Sequence, residues 1–119
     1  MLLIVVFKDR ETMIVYEHLA ALIAETEMLD KLGTLYVQRE RWRIDPTQVE
    51  IMLLIGDDEL EDLDDEGTSL LAAQRNARYF LDVEIFQIVI ELQREKNPAS
   101  RVDDYVFALN YYLENDDFY

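Results

Sequence analysis

The chain has 119 residues, half of them apolar, with three glycines, two prolines and no cysteine. That length and apolar content suit one domain with its own core, and they exclude a disordered acidic tail, disulfides, thiolate metal sites and a cysteine nucleophile. Eleven basic against twenty-six acidic residues leave a formal net charge of −15. Such a field disfavours nucleic acid and anionic membrane as partners, and it favours basic proteins or divalent cations.

Leu2–Phe7 is a continuous apolar run with three β-branched residues, which suits a buried strand or the first turns of a helix. It falls far short of the ~20 apolar residues that cross a bilayer, and it has neither the basic start nor the cleavage site of a signal peptide. A cytoplasmic protein is expected. Over residues 11–31, Ile14, Leu22 and Ile23 interleave with Glu17, Glu25 and Glu27. This spacing predicts a helix capped by Asp9 or Thr12 and stopped at Gly33, with a break after Glu25 as a variant.

Residues 34–38 and 49–55 have strand composition and predict an antiparallel hairpin. Between them Arg39, Arg41 and Arg43 alternate with Glu40 and Trp42, a pattern that suits an extended connection, and Pro46 forces a turn. Gly56 closes the second strand and Gly67 ends the loop that follows. Residues 68–78 predict a short helix, and residues 82–96 a longer one that stops at Asn97-Pro98. Ser100 to Asp103 imitates a capping box for a last helix. Its buried stripe is Tyr105, Val106, Leu109, Tyr112 and Leu113, and it fades at Asn115. The expected fold is a single α+β domain, a small antiparallel sheet packed against several helices.

The strongest functional signal is the run Asp57, Asp58, Glu59, Glu61, Asp62, Asp64, Asp65 and Glu66, interrupted only by Leu60 and Leu63. Clustered charge of one sign is read either as a solvated loop or as a docking face for a cationic partner, with the two leucines as anchors. Asp116 and Asp117, set among Tyr111, Phe118 and Tyr119, extend that candidate surface. An EF-hand register places Asp62, Asp64, Glu66 and Gly67 correctly, but Ala73 stands where the bidentate glutamate belongs. A calcium site would be weak, and no metal is assigned.

Catalytic signals are few. The single histidine, His18, has no sequence partner, Ser69 and Ser100 look like helix starts, and no phosphate-binding or dinucleotide motif occurs. No enzyme activity and no cofactor are expected. Arg39, Arg41, Trp42 and Arg43 form the one basic-aromatic cluster. A nucleic-acid binder presents a basic domain, so these arginines are expected to pair with carboxylates while Trp42 packs against the sheet.

Three segments carry a family resemblance. They are Leu35-Tyr36-Val37 followed by Trp42, Ile44, Asp45 and Thr47; then residues 76–82 (NARYFLD) with Gln87-Ile88-Val89; and finally residues 108–112 (ALNYY) with residues 115–118 (NDDF). Over residues 34–119 the chain resembles small, acidic, otherwise uncharacterised bacterial proteins, some associated with immunity to polymorphic or contact-dependent toxins. Pro46 departs from that family's pattern. The resemblance implies a cytoplasmic antidote that binds one cognate basic toxin domain, with no catalytic residues. Combined with the charge, the expected function is neutralisation of a nuclease-type toxin through an acidic surface. The alternatives are a DNA-mimicking inhibitor of a nucleic-acid-binding protein and a calcium-responsive acidic module.

Overall fold

The computed structural model describes residues 2–7, 11–55 and 76–119 of the chain. Five strands form one sheet: β1 (Leu2–Phe7), β2 (Glu11–Tyr16), β3 (Thr34–Val37), β4 (Ile51–Ile55) and β5 (Arg78–Asp82), in the order β1-β2-β4-β3-β5. Every neighbouring pair runs antiparallel. Four helices are described: α1 (Leu19–Ala24), α2 (Arg39–Ile44), α3 (Val83–Lys96) and α4 (Val102–Asn115). The fold is α+β, as its alternation of apolar runs and helical spacings indicates.

Strand β4 lies at the centre of the sheet. Its residues Ile51 to Leu54 are all buried, with Ile51 and Leu53 in the larger core and Met52 and Leu54 in a second cluster. Successive side chains of a strand point to opposite faces, so an unbroken apolar run marks a strand covered on both sides. The larger core joins Leu19 and Leu22 of α1, Phe86 and Ile90 of α3, and Leu109 of α4 to one face. Burying each such side chain stabilises the fold by roughly 1.5–3 kcal/mol. On the opposite face Met13, Val15, Tyr36, Met52, Leu54 and Ala77 form the second cluster.

Residues 11–31 do not form the expected single helix. Thr12, Ile14, Val15 and Tyr16 favour strand geometry, and residues 11–16 sit in β2 between β1 and β4. Tertiary pairing therefore overrides a weak helical spacing. The helix begins only at Leu19, capped by His18, whose Nδ1 accepts from the Ala21 N–H at 3.3 Å. A 3-10 turn at Thr26–Met28 follows. Gly33 is no simple helix stop: its carbonyl accepts from the Val83 N–H, and a Cβ there would lie 2.5 Å from Leu53 Cδ1. Glycine is required because β3, β4 and the start of α3 meet at that point.

Residues 39–44 are helical rather than extended. The alternation of charge is a surface pattern, and Pro46, one residue beyond the C-cap Asp45, is where a helix stops. The expected hairpin pairing survives, since β3 and β4 pair antiparallel across this helix. Helix formation does not run through Arg78. Asn76 adopts the left-handed conformation (φ 61°) and Arg78 opens β5. The rest of the expected helix over 68–78 lies outside the described residues.

Strand β5 contains a bulge. Tyr79 faces Tyr36 and Leu81 faces Leu35, which leaves Phe80 as the extra residue. Phe80 and Leu81 thereby both reach the larger core, an arrangement a regular strand forbids. Asp82 ends β5 and caps α3, and Asn97 caps its other end. The capping arrangement of α4 is shifted by one residue from the expected frame. Arg101 is the N-cap, and its backbone N–H donates to the Asp104 carboxylate at 2.8 Å. Ser100 instead ties the two helices together, accepting from Gln93 Nε2 at 3.0 Å and donating to the Asn97 carbonyl at 2.7 Å.

Candidate functional site

Of the expected partner-binding residues, the eight carboxylates at 57–66 lie outside the described residues, as does the EF-hand-like register. Asp116 and Asp117 are placed. Both are exposed, and both shape the chain. Asp116 adopts a left-handed conformation (φ 53°), which aspartate tolerates better than most residues, and its N–H closes onto the Tyr112 carbonyl at 2.8 Å. Asp117 accepts from the Phe118 N–H at 2.8 Å. The resulting reversal lays Phe118 on Tyr112, with ring centres 5.2 Å apart. Tyr119 reaches Phe107 at 4.7 Å, and the Lys96 ammonium sits 3.5 Å from the Tyr119 ring centre. The acidic end of the chain is thus a hook held by aromatic packing.

Partial burial, followed by the Asp116 carboxylate bonded to it, raises the Tyr112 hydroxyl above its ordinary range. Tyr79 is raised in the same way, by burial first and then by Asp82. These hydroxyls stay protonated at neutral pH and act as hydrogen-bond donors.

An acidic groove of about 370 Å³ runs between the 3-10 turn and α3, lined by Glu27, Lys31, Glu84, Gln87, Ile88 and Glu91. Buried Gln87 fixes its floor, donating to the carbonyls of Thr26 at 2.9 Å and Leu29 at 3.3 Å. Exposed apolar residues accompany the charge: Met28 is 87% exposed, Leu32 79% and Ile88 40%. Arg94 lies 3.7 Å from Glu27, and exposure keeps such a pair weak. Sequence reading registers Glu84, Glu91 and Glu95 only as the polar side of a helix. The available signal is Ile88, which falls in the same stripe at helical spacing.

A second groove, of about 520 Å³, opens where α2, β5 and α4 meet. Val37, Trp42, Phe80 and Leu113 form its apolar wall, and Arg39, Arg43, Tyr79 and Asn110 complete it. Trp42 is buried against Phe80, ring centres 4.7 Å apart, and its indole N–H donates to Asn110 Oδ1 at 2.9 Å. Packing of Trp42 against the sheet agrees with expectation. Of the arginines, Arg43 pairs with Glu40 at 2.7 Å, while Arg39 reaches the Tyr79 carbonyl at 3.4 Å. Leu113, expected in the buried stripe of α4, is exposed because it lines this groove.

Among the described residues no group of three or more histidine, aspartate or glutamate side chains is arranged to hold a metal ion. His18 serves α1 as its cap. Within the described residues no helix is long and apolar enough to cross a membrane.

An open antiparallel sheet, helices against it and two grooves of opposite character define an acidic α+β domain. The chain belongs to the family described as Domain of unknown function (DUF7716), which matches residues 16–119 and so takes in both grooves and the hooked tail. Comparison with curated proteins and with solved structures gives no match.

Proposed function

We propose that the protein is a binding protein and not an enzyme: a cytoplasmic antidote that neutralises a basic, nuclease-type bacterial toxin domain by covering its cationic face. The acidic groove carries this reading, because Ile88 lines it among Glu27, Glu84 and Glu91, and Met28 and Leu32 stand exposed next in sequence to its lining residues Glu27 and Lys31. Charge and apolar anchors together are what a specific encounter with a basic surface needs. Long-range attraction raises the association rate, and desolvated apolar contacts slow release. The eight acids of residues 57–66 add to the same field. The antidote role rests on the resemblance of residues 34–119, the nuclease class on the net charge of −15, and the chemistry of docking on the groove.

The test is co-expression with the C-terminal domain of a secreted toxin encoded beside the gene. A stable complex and rescue of growth are expected. Glu84→Lys with Glu91→Lys should then slow association and flatten its salt dependence, while Met28→Ser with Leu32→Ser should speed dissociation. Absence of both complex and protection overturns the antidote; a complex whose rates ignore all four changes overturns the groove as its docking face.

A further inference from the structure

The groove beside Trp42 has a chemistry opposite to the rest of this molecule. In a chain of net charge −15, Arg39 and Arg43 stand four residues apart on α2, both at the rim of an apolar trough. Side chains at that spacing share one side of a helix. Each guanidinium carries five N–H donors, and the observed contacts, one to the Tyr79 carbonyl and one to Glu40, use only a part of them. Asn110 adds another donor. The indole N–H of Trp42 can only donate, so the amide oxygen must face it, and Asn110 Nδ2 is turned elsewhere with no partner among the described residues. The volume, about 520 Å³, lies in the range of small-molecule sites.

We propose that this groove binds a small organic acid, with its apolar body along Trp42, Phe80 and Leu113 and its carboxylate met by Arg39 and Arg43, within reach of the Asn110 amide. Planar guanidinium forks suit a carboxylate, and of the two grooves described this one is rimmed by arginines where the other is lined by glutamates. The site is independent of the acidic groove, so loss of either leaves the other intact.

Trp42 is the single tryptophan, so its fluorescence reports on the groove alone when excited where tyrosine does not absorb. Octanoate is the probe, with octanol and octylammonium of equal chain length as controls. A saturable shift with octanoate is expected, weaker with octanol and weakest with octylammonium. Arg39→Gln with Arg43→Gln, both at exposed positions, should weaken octanoate roughly tenfold or more, the scale of one charge-assisted hydrogen bond. Leu113→Asp should abolish it while leaving circular dichroism unchanged. Octylammonium matching octanoate would show that the global field governs binding, and octanol matching it would show that only apolar area counts; either overturns the proposal. So do an unchanged affinity in the double arginine variant, a silent Trp42, and a concentration-dependent dimer dissolved by Arg43→Gln, which would assign the groove to a second copy of the chain.

Discussion

The Trp42 indole and the Asn110 side chain, 68 residues apart in sequence, are joined by a 2.9 Å hydrogen bond that ties α2 to α4 over the bulged strand β5. The bond holds α2 against α4 where both line the second groove. Asn110→Ala leaves a half-buried indole N–H unsatisfied and should cost about 1–2 kcal/mol. Asn110→Asp keeps an acceptor and should retain most of the stability. Urea unfolding followed by Trp42 fluorescence measures both, and equal losses would mean that the bond itself contributes little.

Gly33→Ala is expected to destabilise through crowding. The added carbon would lie 2.5 Å from Leu53 Cδ1, 3.1 Å from the Asp30 carbonyl and 3.2 Å from Val83 Cγ2. Leu53 and Val83 are fully buried, so neither has free space to retreat into. Overpacking of this kind costs about 1–3 kcal/mol. A thermal midpoint equal to that of the natural chain would show that the junction of β3, β4 and α3 yields more than its packing implies.

Part of this architecture was legible in the sequence. Strands β3 and β4, helix α3 and the end of α4 follow from local composition, since apolar runs and helical stripes are set by nearest neighbours. Strand β2 was not legible. Its β-branched residues suit a strand, but the interleaved glutamates lent the segment a helical spacing, and the pairing with β4 that decides between the two is non-local. Helix α2 was hidden by charge alternation, and β5 by its bulge, which puts Phe80 and Leu81 on one side and breaks the period of two. The acidic groove joins residues near 27 to residues near 88, a proximity no sequence window contains.

Stability should fall in alkali, in part through Tyr16. Burial raises its hydroxyl well above the ordinary value of 10.0, and the hydrogen bond to Glu25 at 3.0 Å adds to the effect. The unfolded chain releases this proton near the ordinary value while the folded chain holds it. The contribution is therefore complete below that pH and is lost as pH rises toward the folded value. Tyr79 and Tyr112 are shifted in the same direction and contribute a remainder. Urea unfolding across the alkaline range should give Tyr16→Phe a shallower decline than the natural chain. Parallel declines would remove Tyr16 as a source.

Asp116 separates a structural duty from an electrostatic one. Its left-handed backbone and its bond to the Tyr112 hydroxyl build the hook that seats Phe118 and Tyr119. Asparagine is at least as tolerant of that backbone and still offers an oxygen to the hydroxyl, so Asp116→Asn should change stability by under ~0.5 kcal/mol. A β-branched residue is poorly suited to the left-handed region, and Asp116→Val should cost about 1–2 kcal/mol and release the tail. Loss of the Tyr119 contact with Lys96, followed by the chemical shift of the lysine side chain, reports the release. If Asp116 also attracts a basic partner, Asp116→Asn slows association in a protein that is otherwise unaltered. Should association instead respond only to Asp116→Val, the residue serves binding through the shape of the hook and not through its charge.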